Sequence, residues 1–254
     1  MDCISEGSDL ILRSRVEDTV RLCEKRGVPC FLGFLDLHEQ AVAQQYLRRI
    51  CTEYTFAFYG GYADAERSFL SVSPSYYTAG EDDYPFDCVA FSYRSQKKIT
   101  HRDVLGTLMS LGITRDSVGD ILCGDGLSVV FIRREVVRFV CEQIDRIGGE
   151  GVKIHNPFEG DLPISNEYEE IRTTIASPRL DGVIKALLSC SREQAAEHIS
   201  RGMVSLNHYL VEATSKTIRG GDTLSIRGYG RYTIDQIGPE TKKGRLLLCA
   251  RRRL

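Results

Sequence analysis

The stretch SREQAAEHISRGMVSLNHYLV, residues 191–211, opens on a serine suited to cap a helix and runs through a charge-rich segment in which Ala195, Ala196 and Ile199 form one narrow apolar stripe. Gly202 supplies a left-handed stop, and the pattern then changes to alternation: Val204 and Leu206 before an Asn207-His208 turn, Leu210-Val211 after it. A short helix therefore feeds directly into a small sheet. The helix carries Arg192 in its first turn and Arg201 in its last. The helix dipole favours acids at the N-terminal end, so an arginine there raises one answer, an anion outside the helix that side chain and free N–H groups can both meet; the rest of the chain has to decide between a nucleic-acid phosphate, a small ligand and no anion at all.

Upstream, Leu180, Val183, Ile184, Leu187 and Leu188 mark a first short amphipathic helix, and downstream Gly220-Gly221-Asp222 turns the chain into the strand TLSIR. Beyond this region the chain reads as two further segments. Residues 9–26 have helical spacing up to Gly27 and Pro29. Asp36 and Glu39 have capping-box spacing for a second helix, and two strands flank Gly60-Gly61. The acidic stretch SPSYYTAGEDDYP reads as a boundary. After it come a strand at 87–94, a helix at 99–112 capped by Thr100 with Asp103, a hairpin through Gly124-Asp125-Gly126, a helix over 134–149 and a closing strand, GVKIH. This β-α-β-β-α-β order is that of a ferredoxin-like unit, shared by RNA-recognition modules. Phe91, Tyr93 and Phe131 could stack bases there, or they are packed sheet residues; LSVVFIRR lacks the glycine-aromatic pattern of an RNA-contacting strand. The expected organisation is α+β: an N-terminal α/β region at 1–80, the ferredoxin-like domain at 84–158, and a C-terminal domain at 177–254 with a basic tail.

Charge separates these segments. Residues 1–86 carry net −6, residues 87–177 carry −3, and residues 178–254 carry +7, with fourteen Lys and Arg against seven Asp and Glu. The last third is suited to a polyanion.

The pattern Arg179-Leu180-Asp181, then Ser191-Arg192, then Gly202, Val204, Leu206 and Asn207, then Gly221-Asp222, resembles the S4 RNA-binding domain. YGGYADAERSFLSVSPSYY, THRDVLGTLMSLGITRDSVGDIL and RGYGRYTI extend the resemblance to the YlmH family, bacterial proteins that join an N-terminal region, an RNA-recognition-like domain and a C-terminal S4 domain of αL type. The resemblance implies RNA binding without catalysis, on structured ribosomal or transfer RNA, at large ribosomal subunits carrying stalled peptidyl-tRNA. It implies phosphate contact by Arg179 and Arg192, with Lys185, Ser191, Arg201, Asn207, Arg227 and Arg231 completing the RNA-binding set. The sequence departs from the family in the acids Glu193 and Glu197 on the second helix and in Asn207-His208 where Asn-Gly is common.

Other chemistry has less support. His101-Arg102-Asp103 imitates a kinase catalytic loop without its glycine loop or metal partner, and Gly228-Tyr229-Gly230 reads as a backbone bend. The nine cysteines include no Cys-x-x-Cys pair. They read as small buried hydrophobes in a reducing compartment, with no metal and no cofactor expected. An acidic N-terminus and the lack of a long apolar run argue for a cytoplasmic protein without membrane or small-molecule partners. For Arg179 and Arg192 the competing reading is a surface salt bridge to Asp181 or Glu193, and for Arg251-Arg252-Arg253 a solvated terminus. An RNA-modifying enzyme, or an adaptor that the C-terminal domain tethers to RNA, is the alternative at the level of function.

Overall fold

Two helices, α1 (Asp2–Arg26) and α2 (Leu37–Ile50), flank the strand β1 (Cys30–Leu35), and β2 (Tyr54–Tyr59) and β3 (Ser68–Pro74) follow. These bounds come from a computed structural model that describes residues 2–50, 53–63, 65–94, 98–164, 168–242 and 244–253. Cys51 lies outside the described residues, as do the side chains of Cys3 and Arg253. The capping box of α2 is present: the Glu39 amide donates to Asp36 Oδ1 at 2.9 Å, and the Asp36 amide donates to Glu39 Oε2 at 2.8 Å. The three strands form an antiparallel sheet with β3 in the centre. Val16, Val20 and Cys23 of α1 and Val42 and Leu47 of α2 bury one face of it against Leu32, Leu70 and Val72.

The strand β1 has no alternating pattern to announce it. CFLGFL has no polar member to alternate with, because both its faces are covered. Leu32 and Leu35 meet the helices, while Phe31 and Phe34 meet an aromatic layer on the other side.

That layer joins the first sheet to a second. The elements β4 (Phe86–Ser92), α3 (His101–Ser110), β5 (Val118–Gly124), β6 (Leu127–Arg133), α4 (Arg134–Gln143) and β9 (Lys153–His155) follow the order expected from sequence, and a ribbon the sequence did not announce, β7 (Arg146–Ile147) with β8 (Glu150–Gly151), is inserted before β9. The sheet runs β5-β6-β4-β9, entirely antiparallel. The α4 helix is shorter than its apolar pattern suggested: Ile144 is already extended, and Gly148 and Gly149, both at positive φ, turn the chain into the ribbon.

Strand alternation sends Val89, Phe91, Val130 and Ile132 toward α3 and α4. Phe86, Cys88 and Phe131 on the opposite face pack with Phe34, Phe69 and Tyr84. Tyr62 stacks on Phe131 at 5.7 Å. Gly61 lies beneath at φ +99°, where a Cβ would come within 2.2 Å of the Phe131 ring. The packed reading of the candidate stacking residues is therefore the one found: Phe91 is 0% and Phe131 3% exposed, and the Tyr93 hydroxyl donates to the Gly124 carbonyl at 2.8 Å.

Residues Met1–Ile164 form one compact unit and Ser165–Leu254 another. The second contains β10 (Tyr168–Ile175), α5 (Leu180–Leu188), α6 (Arg192–Ser200), β11 (Val204–Leu206), β12 (Tyr209–Leu210), β13 (Thr223–Ile226), β14 (Gly230–Glu240) and β15 (Leu246–Arg253). Its antiparallel sheet runs β10-β15-β14-β13-β11-β12. Leu180, Val183 and Ile184 of α5 and Ala195 and Ile199 of α6 pack on Val204, Leu224, Ile234 and Leu248. Arg251, Arg252 and Arg253 are not a loose terminus but part of β15, which is bonded along β10 on one side and β14 on the other.

Candidate nucleic-acid interface

The helix pair of the second unit is organised around one carboxylate. Asp181, in the first turn of α5, is 4% exposed. Arg179 donates to it through Nε (3.2 Å to Oδ1) and Nη2 (3.1 Å to Oδ2), and Arg192, from the first turn of α6, donates through Nε (3.0 Å) and Nη2 (2.9 Å), both to Oδ2. The Gly182 amide adds a fifth donor at 2.8 Å. Burial alone would raise the Asp181 pKa, but the two guanidiniums and the amide together hold it below the usual carboxylate range.

Two cations on one anion leave a net charge of +1. Both guanidiniums remain at the surface, with 41% and 61% of their side chains exposed. Asp181 takes one donor from Nε and one from Nη2 of each, so both Nη1 donors and the second Nη2 donor of each are ones that Asp181 does not take. The salt bridge weighed against a binding role is thus present, and it fixes the orientation of two exposed arginines that would otherwise sample many rotamers.

Ser191 caps α6 by accepting from the Gln194 amide at 3.1 Å, and Gln194 Oε1 accepts from the Ser191 amide at 2.9 Å. Its hydroxyl is committed to the helix. Lys185 is exposed on α5 and shares with Arg192 a groove of about 460 Å3 that Thr174, Ser189, Cys190 and Arg245 also line. Arg201, at the far end of α6, pairs with Glu197 at 2.7 Å. Asn207 has a structural role. At φ +49° it forms the turn between β11 and β12, its Nδ2 donates to Asp222 at 2.8 Å and its Oδ1 accepts from the Thr223 amide at 2.9 Å. Arg227 is exposed in the turn after β13, and Arg231 is half-buried on β14 opposite Ser225. The structure brings Arg179, Lys185, Ser191 and Arg192 to the α5–α6 corner, whereas Arg201, Asn207, Arg227 and Arg231 belong to other parts of the unit.

Two residues here are not singled out by sequence reasoning. Asp181 stands there as part of the Arg179-Leu180-Asp181 pattern and as a competing salt-bridge partner, not as the residue that orients both arginines. Arg245 lies in the turn between β14 and β15, which no local pattern announces, and it donates from Nε to Thr174 Oγ1 at 3.0 Å and from Nη2 to the Thr174 carbonyl at 2.7 Å. Elsewhere, Asp103 of the kinase-like tripeptide is engaged in the cap of α3, its Oδ2 accepting from the Thr100 amide at 2.9 Å. Gly228 and Gly230, both at positive φ, make the β13–β14 bend. Of the cysteines, Cys23 and Cys30 are buried, and Cys88, Cys123, Cys141, Cys190 and Cys249 are half-buried free thiols.

Comparison with known proteins adds three findings. A family model described as "Putative RNA-binding domain in YlmH" matches residues 80–158. Over 214 residues, 83% of this chain and 82% of the relative, the sequence is 34% identical to the ribosome-associated protein quality control protein P2 of Bacillus subtilis (strain 168). The solved structure of the cell division protein YlmH from Streptococcus pneumoniae superposes with a TM-score of 0.51 at 14% identity, covering 58% of this chain and 91% of that one, a likeness of fold.

Proposed function

The chain belongs to the YlmH family, and on that premise we propose that it is a non-catalytic RNA-binding protein of the cytoplasm. It recognises structured ribosomal or transfer RNA and works on the large ribosomal subunit when peptidyl-tRNA has stalled there. In this reading residues 84–158 are a ferredoxin-like domain and the second unit is an S4 domain that makes the main RNA contact. The observation that carries it is the α5–α6 corner, where a buried Asp181 presents Arg179 and Arg192 outward beside Lys185. Paired donors at fixed geometry match phosphate oxygens better than mobile cations do. The relative's printed name, a ribosome-associated quality control protein, supports the same setting.

The first unit has a different part. The aromatic face by which an RNA-recognition sheet would stack bases is covered by the N-terminal sheet, so RNA contact by residues 80–158 has to use edges and loops. The test is sedimentation of the full-length protein with large ribosomal subunits at increasing salt. It should travel with the particles at low salt and leave them as salt rises, because phosphate contacts release counterions. Sedimentation only in the free fraction at low salt would refute the ribosomal reading.

A further inference from the structure

The groove beside the α5–α6 corner is lined by Arg192 but extends past it to residues that the clamp on Asp181 does not involve. Its volume, about 460 Å3, lies within the ~300–1,000 Å3 of sites that enclose a small organic ligand. Lys185 and Arg192 reach it from the helices and Arg245 from the β14–β15 turn, and among the described residues no acidic side chain lines it. Both guanidiniums are held in place beforehand, Arg192 by Asp181 and Arg245 by Thr174. Little rotamer entropy therefore remains to be lost on binding. Thr174 and Ser189, which carry hydroxyls, and the small residues Ala186 and Cys190 also line it. Such a lining suits a flat ring with polar edges, and a volume of about 460 Å3 is that of a single small ligand and not of a paired stem.

We propose that this groove receives one unpaired nucleotide of the bound RNA, its base against Thr174, Ala186, Ser189 and Cys190 and its flanking phosphates on Arg192 and Arg245. This rests on the RNA-binding reading above and specifies what that RNA must contain. Proteins read RNA sequence and shape chiefly through bases freed from pairing, and the groove provides one place for such a base.

The experiment uses the full-length protein and two RNA hairpins that differ only in one bulged adenosine. The unaltered protein should bind the bulged hairpin about tenfold more tightly, the equivalent of roughly 1.4 kcal/mol. Arg245→Ala should bring the two affinities together while leaving binding to the paired stem. In the unaltered chain the bulged hairpin, and not the paired one, should slow alkylation of Cys190 by N-ethylmaleimide, read peptide by peptide with Cys249 as the internal comparison. That readout stands even if the Arg245 variant folds poorly. Equal affinity for the two hairpins with no selective protection of Cys190 overturns the proposal and leaves the RNA-binding reading intact. Failure to bind either hairpin overturns both. Saturable protection of Cys190 by adenosine monophosphate alone, without any bulge preference, also overturns it and makes the groove a site for a free nucleotide.

Discussion

At the scale of the residue, Asp181 decides what the arginines around it can do. Substituting Asp181→Asn removes a negative charge from a surface meant for a polyanion, so long-range electrostatics would raise RNA affinity. The clamp predicts the opposite sign. An amide has one acceptor oxygen and repels a guanidinium with its NH2 group, so Arg179 and Arg192 lose their fixed geometry. RNA affinity should fall several-fold, measured by filter binding beside a melting curve. A rise in affinity would show that orientation is irrelevant. The pH dependence follows from the lowered pKa of Asp181. A carboxylate whose folded pKa is depressed contributes fully above its unfolded value of about 3.9 and loses that contribution as pH falls through the folded one. The clamp should therefore be constant between pH 5 and 8, and affinity that tracks titration within that window would point to another group. The sequence showed the arginines and hid the reason for their positions, because Asp181 and Arg192 belong to two separate helices that only folding brings together.

Among the elements, those with local signals were legible and those defined by distant partners were not. Thr100 with Asp103 and Ser191 with Gln194 mark helix starts within four residues. By contrast, β14 became a strand by pairing with β13 and β15, and β15 by pairing with β14 and β10, so that Leu246 to Arg253 of β15 lie opposite Ile175 to Tyr168. A fragment beginning at residue 176 therefore lacks an edge strand and the core residue Ile175. It should unfold at lower urea than one beginning at 165, and equal midpoints would mean that β10 contributes nothing. In the first unit the corresponding long-range tie is Asp120 on β5, which accepts from the Tyr62 hydroxyl (2.8 Å) and from the amides of Glu66 (2.6 Å) and Arg67 (3.1 Å). Arg67 in turn donates to the carbonyls of Phe34 (2.8 Å) and Val118 (3.0 Å). Asp120→Ala leaves buried donors without an acceptor and should cost about 2–4 kcal/mol in urea unfolding. Loss of less than about 0.5 kcal/mol would mean that Tyr62 stacking and the Arg67 bonds hold the loop without Asp120.

For the whole molecule, the charge asymmetry seen in the sequence corresponds to a division of labour. Residues 178–254 hold the excess of cations, and they fall within a unit that has its own core and sheet. The acidic remainder joins two sheets through an aromatic layer and presents no open stacking face among its described residues. The measurement that reaches the central claim most directly is the affinity of the full-length protein for a structured ribosomal RNA fragment at several salt concentrations, with and without Arg192→Ala. Asp181 keeps Arg179 and the Gly182 amide in that variant, so the buried carboxylate is not left unpaired and the melting temperature should barely move. The account predicts weaker binding and a salt slope smaller by roughly 0.7 to 0.9, one phosphate contact removed. A folded Arg192→Ala protein with unchanged affinity and unchanged slope would contradict it.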